Sequence, residues 1–244
     1  MEHLLDQIWQ LLTVLFDSQA LMETLKQPEF LVAAFVVLNL VIFTETGLLI
    51  GFCLPGDSLL VTAGIVFHNL IYVQGCSGWL LPLLLLTLCI AAIVGDSVGY
   101  LIGRRAGVRL YSRKESFFFR KNHLLAAQAF YQKHGGKTIV LARFMPFLRT
   151  FAPVVAGTAQ MKYRRFVLFN IAGGIGWVCS MIMLGFILTP VLNPLLQPLL
   201  GAQFRVEKYI EVVIIVVVLV SISPGVFAWA RHKLVKRKST TNLV

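Results

Sequence analysis

From residue 30 onward the chain alternates long apolar runs with short polar or basic ones, and the run lengths predict the elements. Residues 30–67 are apolar apart from Glu45 and Asp57, with a break at Pro55-Gly56. A straight membrane span needs about 20 residues, so this run is too long for one helix and short for two with a full loop. It predicts a helix followed by a re-entrant hairpin near 45–67, with its non-helical backbone covered by protein or water. Residues 80–103, 166–189 and 210–230 are long enough to cross. Residues 138–161 are also long enough, but Pro146 and Pro153 interrupt them.

The ends and links follow another pattern. In residues 1–29 the apolar positions Leu4, Leu5, Ile8, Leu11, Leu12, Leu15 and Phe16 recur at helical spacing, with Trp9 beside them. This predicts an amphipathic helix, lying on the bilayer surface or packed on the body of the protein. Residues 68–79 are mildly polar without a formal charge, which marks an outer face. Residues 104–137 are basic, contain Phe117-Phe118-Phe119 and allow a further amphipathic helix at 124–131. Residues 190–198 are a Pro-rich link, expected outside.

Charge sets the topology. Of 22 Lys and Arg, nine lie from Arg104 to Lys137 and five from Arg231 to Lys238. Basic loops beside apolar spans stay cytoplasmic and face anionic lipid, so the net charge of +11 does not call for nucleic acid. Lys162, Arg164 and Arg165 close the 138–161 run, so both its flanks are basic and it is expected to enter and return on the cytoplasmic side. The number of crossings then places the loop at 104–137 and the C-terminus in the cytoplasm. By the same logic the first hairpin enters from outside. Two hairpins from opposite faces form an inverted repeat, echoed in Val61-Thr-Ala-Gly64 and Val154-Val-Ala-Gly157.

With 57% hydrophobic and 14% charged residues, a soluble domain is excluded, since such domains carry about 25% charged residues. Cys53, Cys76, Cys89 and Cys179 lack metal or redox spacing and are expected as free thiols. The first residues show no basic region and cleavage site, so the segment is expected to be retained.

The chemistry sits where the apolar runs break. A charge at membrane depth costs about 2.5–3.5 kcal/mol on insertion scales, which makes it a functional-site hypothesis. The first break carries Glu45 and Asp57, the second Arg143 and Arg149. Guanidinium forks suit a phosphate monoester, and Pro146 between the arginines lets them converge. The alternative is a structural network in which the arginines neutralise the two acids. Glu45 and Asp57 are candidate proton carriers, on which burial and a neighbouring guanidinium act in opposite directions. Pro-Gly-Asp-Ser also reads as a helix start, so Asp57 is equally a capping residue. Asp96 is a secondary candidate, or else a partner of Arg104 or Arg105. Gly95, Gly99, Gly103 and Gly107 form a stripe for close helix packing. An intramembrane hydrolase is disfavoured. Gly75-Cys-Ser-Gly78 resembles a protease motif, but the five His, at 3, 68, 123, 134 and 232, fall in ends or loops. No catalytic residue, cofactor or metal is expected.

At these residues the chain resembles the DedA family of bacterial inner-membrane proteins, relatives of the eukaryotic VTT-domain lipid scramblases. The resemblance runs from about Phe30 to Leu188. It rests on Glu45-x-Gly-Leu, Leu54-Pro-Gly-Asp57-Ser58, Gly95-Asp96-x-x-Gly99-Tyr100, Gly103-Arg104, Arg143-Phe144-x-Pro-x-x-Arg149-Thr150 and Ala156-Gly157. Within the family the chain looks most like enterobacterial members needed for envelope integrity and drug tolerance. The resemblance implies a flippase returning undecaprenyl phosphate across the cytoplasmic membrane, coupled to protons. It further implies that the family's essential acids match Glu45 and Asp57 and its essential arginines Arg143 and Arg149. General phospholipid scrambling and proton-coupled transport of a small ion are the alternatives. The expected architecture is an all-α polytopic membrane protein with about four transmembrane helices and two oppositely oriented re-entrant hairpins. It divides into an amphipathic segment 1–29, a membrane core 30–189 and a terminal region 190–244. Expected partners are a polyprenyl phosphate, protons, anionic lipids at the basic loop and tail, and a second copy of the chain.

Overall fold

A computed structural model of the chain describes residues 2–13, 27–48, 56–111 and 136–200, with positions 20 and 24. Among these it has seven α-helices: α1 (Glu2–Thr13), α2 (Leu31–Gly47), α3 (Gly56–Tyr72), α4 (Leu80–Tyr111), α5 (Lys137–Arg143), α6 (Pro146–Thr158) and α7 (Tyr163–Leu200). A single 3-10 turn, Pro28–Phe30, leads into α2. The backbone of the first break at 49–55, the 124–131 helix, Phe117 to Phe119, the 210–230 span, the basic tail and Cys53 lie outside the described residues.

Among the described residues two helices are long and apolar enough to cross a bilayer, over Leu80–Gly107 and Tyr163–Leu195. The 17 residues of α2 and of α3 give each a length of about 25 Å, short of the roughly 30 Å hydrocarbon core. The 13 residues of α6 reach only about 20 Å.

Contacts along the helices fix their directions. Phe35 packs on Phe67 and Glu45 lies against Gly56, so α2 and α3 are antiparallel with the break at their tip. Asn39 donates to Thr87, and Gly47 lies on Gly95, so α4 runs with α2. Gly99 lies near Pro153 and Gly107 near Thr158, so α6 runs with α4. Asp57 meets Trp177 and His68 meets Phe186, so α3 runs with α7. Gly136 lies on Phe169 and Val140 on Gly173, which sets α5 alongside α7 as well. The unit α2–α3–α4 and the unit α5–α6–α7 therefore run in opposite senses.

The short sequence echo has a structural counterpart. A Cβ on Gly185 would overlap the Val61 carbonyl, and one on Gly64 the carbonyl of Ile182. A Cβ on Gly103 would overlap the Val154 carbonyl, and one on Gly157 the carbonyl of Tyr100. In both places Val faces a glycine of the long helix, and Gly three residues later faces the residue three before that glycine. Each middle helix thus packs on the long helix of the other unit at backbone contact, as small-residue interfaces allow. The packing stripe expected at Gly95, Gly99, Gly103 and Gly107 meets α2 at its first two positions and α6 at its last three.

Almost every side chain of α3 from Leu59 to Phe67 is buried, which makes α3 the centre of the bundle. Val32, Val36 and Leu40 of α2, and Leu83, Leu86, Ile90 and Val94 of α4, are exposed apolar residues, as on lipid-facing helices. Exposed Lys137, Arg104, Arg105, Lys162, Arg164 and Arg165 gather at the end where α5 begins and α6 finishes. Exposed Tyr72, Val73 and Trp79 mark the opposite end.

Several expectations are corrected. The span expected to end at residue 103 continues as helix to Tyr111, taking in the first part of the basic loop. Residues 190–198 are helical, as part of α7. Pro190, Pro194 and Pro198 are four apart, so the missing N–H groups and the lost bonds fall on one exposed stripe and the rest of the ladder survives. His68 lies within α3, its ring against Tyr72 and Phe186, and not in a loop. Of the two placements for the N-terminal helix, α1 adopts packing on the body: Leu11 is fully buried, and Leu4, Ile8 and Leu12 pack on the core.

Candidate functional site

Five helices bring one ionisable group each to the centre of the bundle. Glu45 stands in the last turn of α2 and Asp57 is the second residue of α3. Asp96 lies in the middle of α4, Arg143 ends α5 and Arg149 is in the first turn of α6. Pro146 explains the last two positions. It favours an extended residue before it, which Met145 supplies, and its fixed φ suits the first turn of a helix. The chain therefore turns between the arginines and presents both at the tip.

The groups sort into two networks. Arg149 forks between two acids: Nη2 donates to Glu45 Oε1, and Nη1 to Asp57 Oδ1 at 2.5 Å. Trp177 Nε1 donates to the same Asp57 oxygen at 2.8 Å. Arg143 donates through Nη2 to Asp96 Oδ2, to Asn170 Oδ1 at 2.7 Å and to the Ala92 carbonyl at 3.4 Å. Asn170 is itself oriented by donating Nδ2 to the Ile93 carbonyl at 2.9 Å. The fully buried indole of Trp177 stands between the networks, 4.5 Å from the Arg149 guanidinium carbon and 5.8 Å from that of Arg143.

Donors are left over. Arg143 Nε and Nη1 and Arg149 Nε are buried without a hydrogen-bond partner among the described residues, as is Asp96 Oδ1. Arg143 lies along Gly173 and Gly174, where an added Cβ would stand in van der Waals contact with it. On the other side, a Cβ on Gly56 would overlap the Glu45 carboxylate, so Pro55-Gly56-Asp57 needs its glycine for the acid to approach the start of α3. The site can thus hold a small anion on spare guanidinium N–H groups, with carboxylates that an anion can replace.

All five charged residues singled out in the sequence meet here, with the two acids of the first break on an arginine of the second and Asp96 on the other arginine. Glu45 and Asp57 converge on Arg149 alone, and Arg143 takes Asp96. Asp96 does not pair with Arg104 or Arg105, which are exposed. Eight residues along a helix amount to about 12 Å, beyond the reach of those side chains. Sequence reading missed Asn170 and Trp177. Their signal was a lone amide in an otherwise apolar span and the run Gly173-Gly174-x-Gly176-Trp177.

A VTT-domain family model matches residues 54–187. The chain belongs to the DedA family, defined by this domain. Protein DedA of Escherichia coli K12 is 44% identical over 158 residues, covering 65% of this chain and 70% of that protein. An uncharacterised membrane protein of Mycobacterium leprae is 43% identical over 164 residues, 66% of this chain and 70% of that one. Inner membrane protein YqjA of Escherichia coli K12 is 33% identical over 189 residues, 77% of this chain and 82% of YqjA. No solved structure matches. This DedA-family chain is therefore a membrane protein, in agreement with its apolar helices. The matched domain contains Asp57, Asp96, both arginines, Asn170 and Trp177, while Glu45 lies just before it.

Proposed function

We propose that the chain is a flippase for a lipid with a phosphate monoester headgroup. The carrying observation is the pair of buried guanidinium groups with spare N–H donors at the meeting point of two broken helix pairs. Family resemblance narrows the lipid to a polyprenyl phosphate, undecaprenyl phosphate in a bacterial cytoplasmic membrane. The phosphate competes with Glu45 and Asp57 for Arg149 and with Asp96 for Arg143, and a displaced carboxylate takes up a proton. Phosphate binding and proton uptake are then one event. The relatives reported above bear membrane-protein names and no enzyme names, which fits transport without bond cleavage.

Two hairpins dip into the membrane from opposite faces in this reading. What supports it is the exposed basic band at the open end of α5–α6, the aromatic residues at that of α2–α3, and the shortness of α6. The basic band faces the cytoplasm and anionic lipid, together with the loop that follows α4 and the C-terminal tail.

The test is movement of a short-chain polyprenyl phosphate between leaflets of liposomes holding the purified protein. The protein should accelerate it, and Arg149→Ala should abolish the acceleration. Equal acceleration of a zwitterionic phospholipid would make the protein a general scramblase instead.

A further inference from the structure

The two networks differ in charge. Asp96 with Arg143 is balanced, one acid to one base, with neutral Asn170 completing it. Glu45 and Asp57 share Arg149, so with all three ionised that network carries one excess negative charge. Glu45 and Arg149 are almost wholly buried, and an uncompensated charge in such surroundings neutralises by taking a proton. Among the described residues the elements around Glu45 bring no other charge to it. The α3 helix brings Asp57 and α6 brings Arg149, α7 brings the neutral Trp177, and Asp96 of α4 is held by Arg143.

Two features decide which acid holds the proton, side-chain donors and exposure. Asp57 Oδ1 receives two side-chain donors, Arg149 and Trp177, whereas Glu45 receives Arg149 alone. The other contact of the Glu45 carboxyl is with backbone, at Gly56 at the start of α3. The side chain of Asp57 is 14% exposed and that of Glu45 2%.

We propose that the Arg149 network holds one proton at rest, that Glu45 carries it, and that Trp177, through its hydrogen bond to Asp57, is the positioning residue that places the proton on Glu45. The consequence for coupling rests on the flippase reading: Glu45 is loaded before the lipid arrives, so the proton taken up on phosphate binding goes to another displaced carboxylate of the site. The proton count itself does not need that reading.

The experiment is infrared spectroscopy of the lipid-free protein in liposomes, following the band of protonated carboxyl groups at neutral pH. The band should shift on labelling with carboxyl-13C glutamate and not on labelling with carboxyl-13C aspartate. Glu45→Gln should remove it. Asp57→Asn should remove it too, because one acid then balances Arg149 and no proton is required. In Trp177→Phe the band should persist and become partly sensitive to the aspartate label. Thermal unfolding of each variant establishes that it is folded. Absence of the band in the wild type, or its survival in Asp57→Asn, would overturn the one-proton count. A wild-type band that follows aspartate, or one removed by Asp96→Asn alone, would overturn the assignment to Glu45. Trp177→Phe with an unaltered band would remove the positioning role. No lipid is present, so failure of the flippase assay leaves these outcomes readable.

Discussion

Arg143 and Asp96 form a buried pair whose structural and transport roles can be separated by a double-mutant cycle. Asp96 is 2% exposed and no side chain other than Arg143 donates to it. Arg143→Met leaves that carboxylate without its hydrogen-bonded cation, a change that costs about 3–5 kcal/mol when one partner of a buried pair is removed. Replacing both partners by neutral groups of similar volume is often close to neutral. Adding Asp96→Asn to Arg143→Met should therefore recover at least about 2 kcal/mol, within the range of coupling between contacting residues. For a chain of this size 1 kcal/mol moves the unfolding midpoint by about 2–4 °C, so the recovery should be about 4–8 °C. The assay is thermal unfolding in one detergent, followed by leaflet exchange of a short-chain polyprenyl phosphate in liposomes. The double variant should regain stability and still fail to move the lipid, because the spare N–H groups of Arg143 are gone. A double variant as unstable as Arg143→Met would show that Asp96 is not held by this charge balance. One that transports at the wild-type rate would remove Arg143 from anion binding and leave it a structural role.

Single cysteines placed at Lys137 and Lys162 should both be shielded from an impermeant thiol reagent added to intact cells, since the two exposed positions lie at one end; labelling of one alone would refute the re-entrant second hairpin. Gly185→Val and Gly103→Val each force a side chain onto a backbone carbonyl, and each should cost about 1–3 kcal/mol by overpacking, read as a lowered unfolding midpoint. The two losses should be similar, because the contacts at Val61 and Val154 have the same form; a loss at only one site would show that the two interfaces are not equivalent. Gly56→Ala should impair lipid transport with phosphate-lipid affinity measured in parallel, because the new Cβ displaces Glu45 from Arg149; unchanged transport would mean that the approach of Glu45 to α3 is dispensable.

The sequence by itself determined the membrane class, the all-helical architecture and the five charged residues that gather at the centre of the bundle. Those are properties of runs and composition: apolar stretches of spanning length, prolines that break them, and charges too costly at depth to be incidental. It also exposed the glycine stripe on α4 and the Val-x-Ala-Gly echo, because close packing needs small residues at helical spacing. It could not decide the pairing. Glu45, Asp57 and Asp96 are chemically alike, and which of them meets Arg149 or Arg143 depends on how α2, α3 and α4 cross α5 and α6. Asn170 and Trp177 were hidden for a related reason: an amide and an indole are ordinary in an apolar span until a guanidinium from another helix arrives beside them. The passage of α7 through Pro190, Pro194 and Pro198 also escaped, since prolines spaced four apart spare most of a ladder that their number alone would break. Local pattern fixes which residues the membrane must hide, and only tertiary structure chooses their partners, because pairing is a matter of distance across helices far apart in the chain.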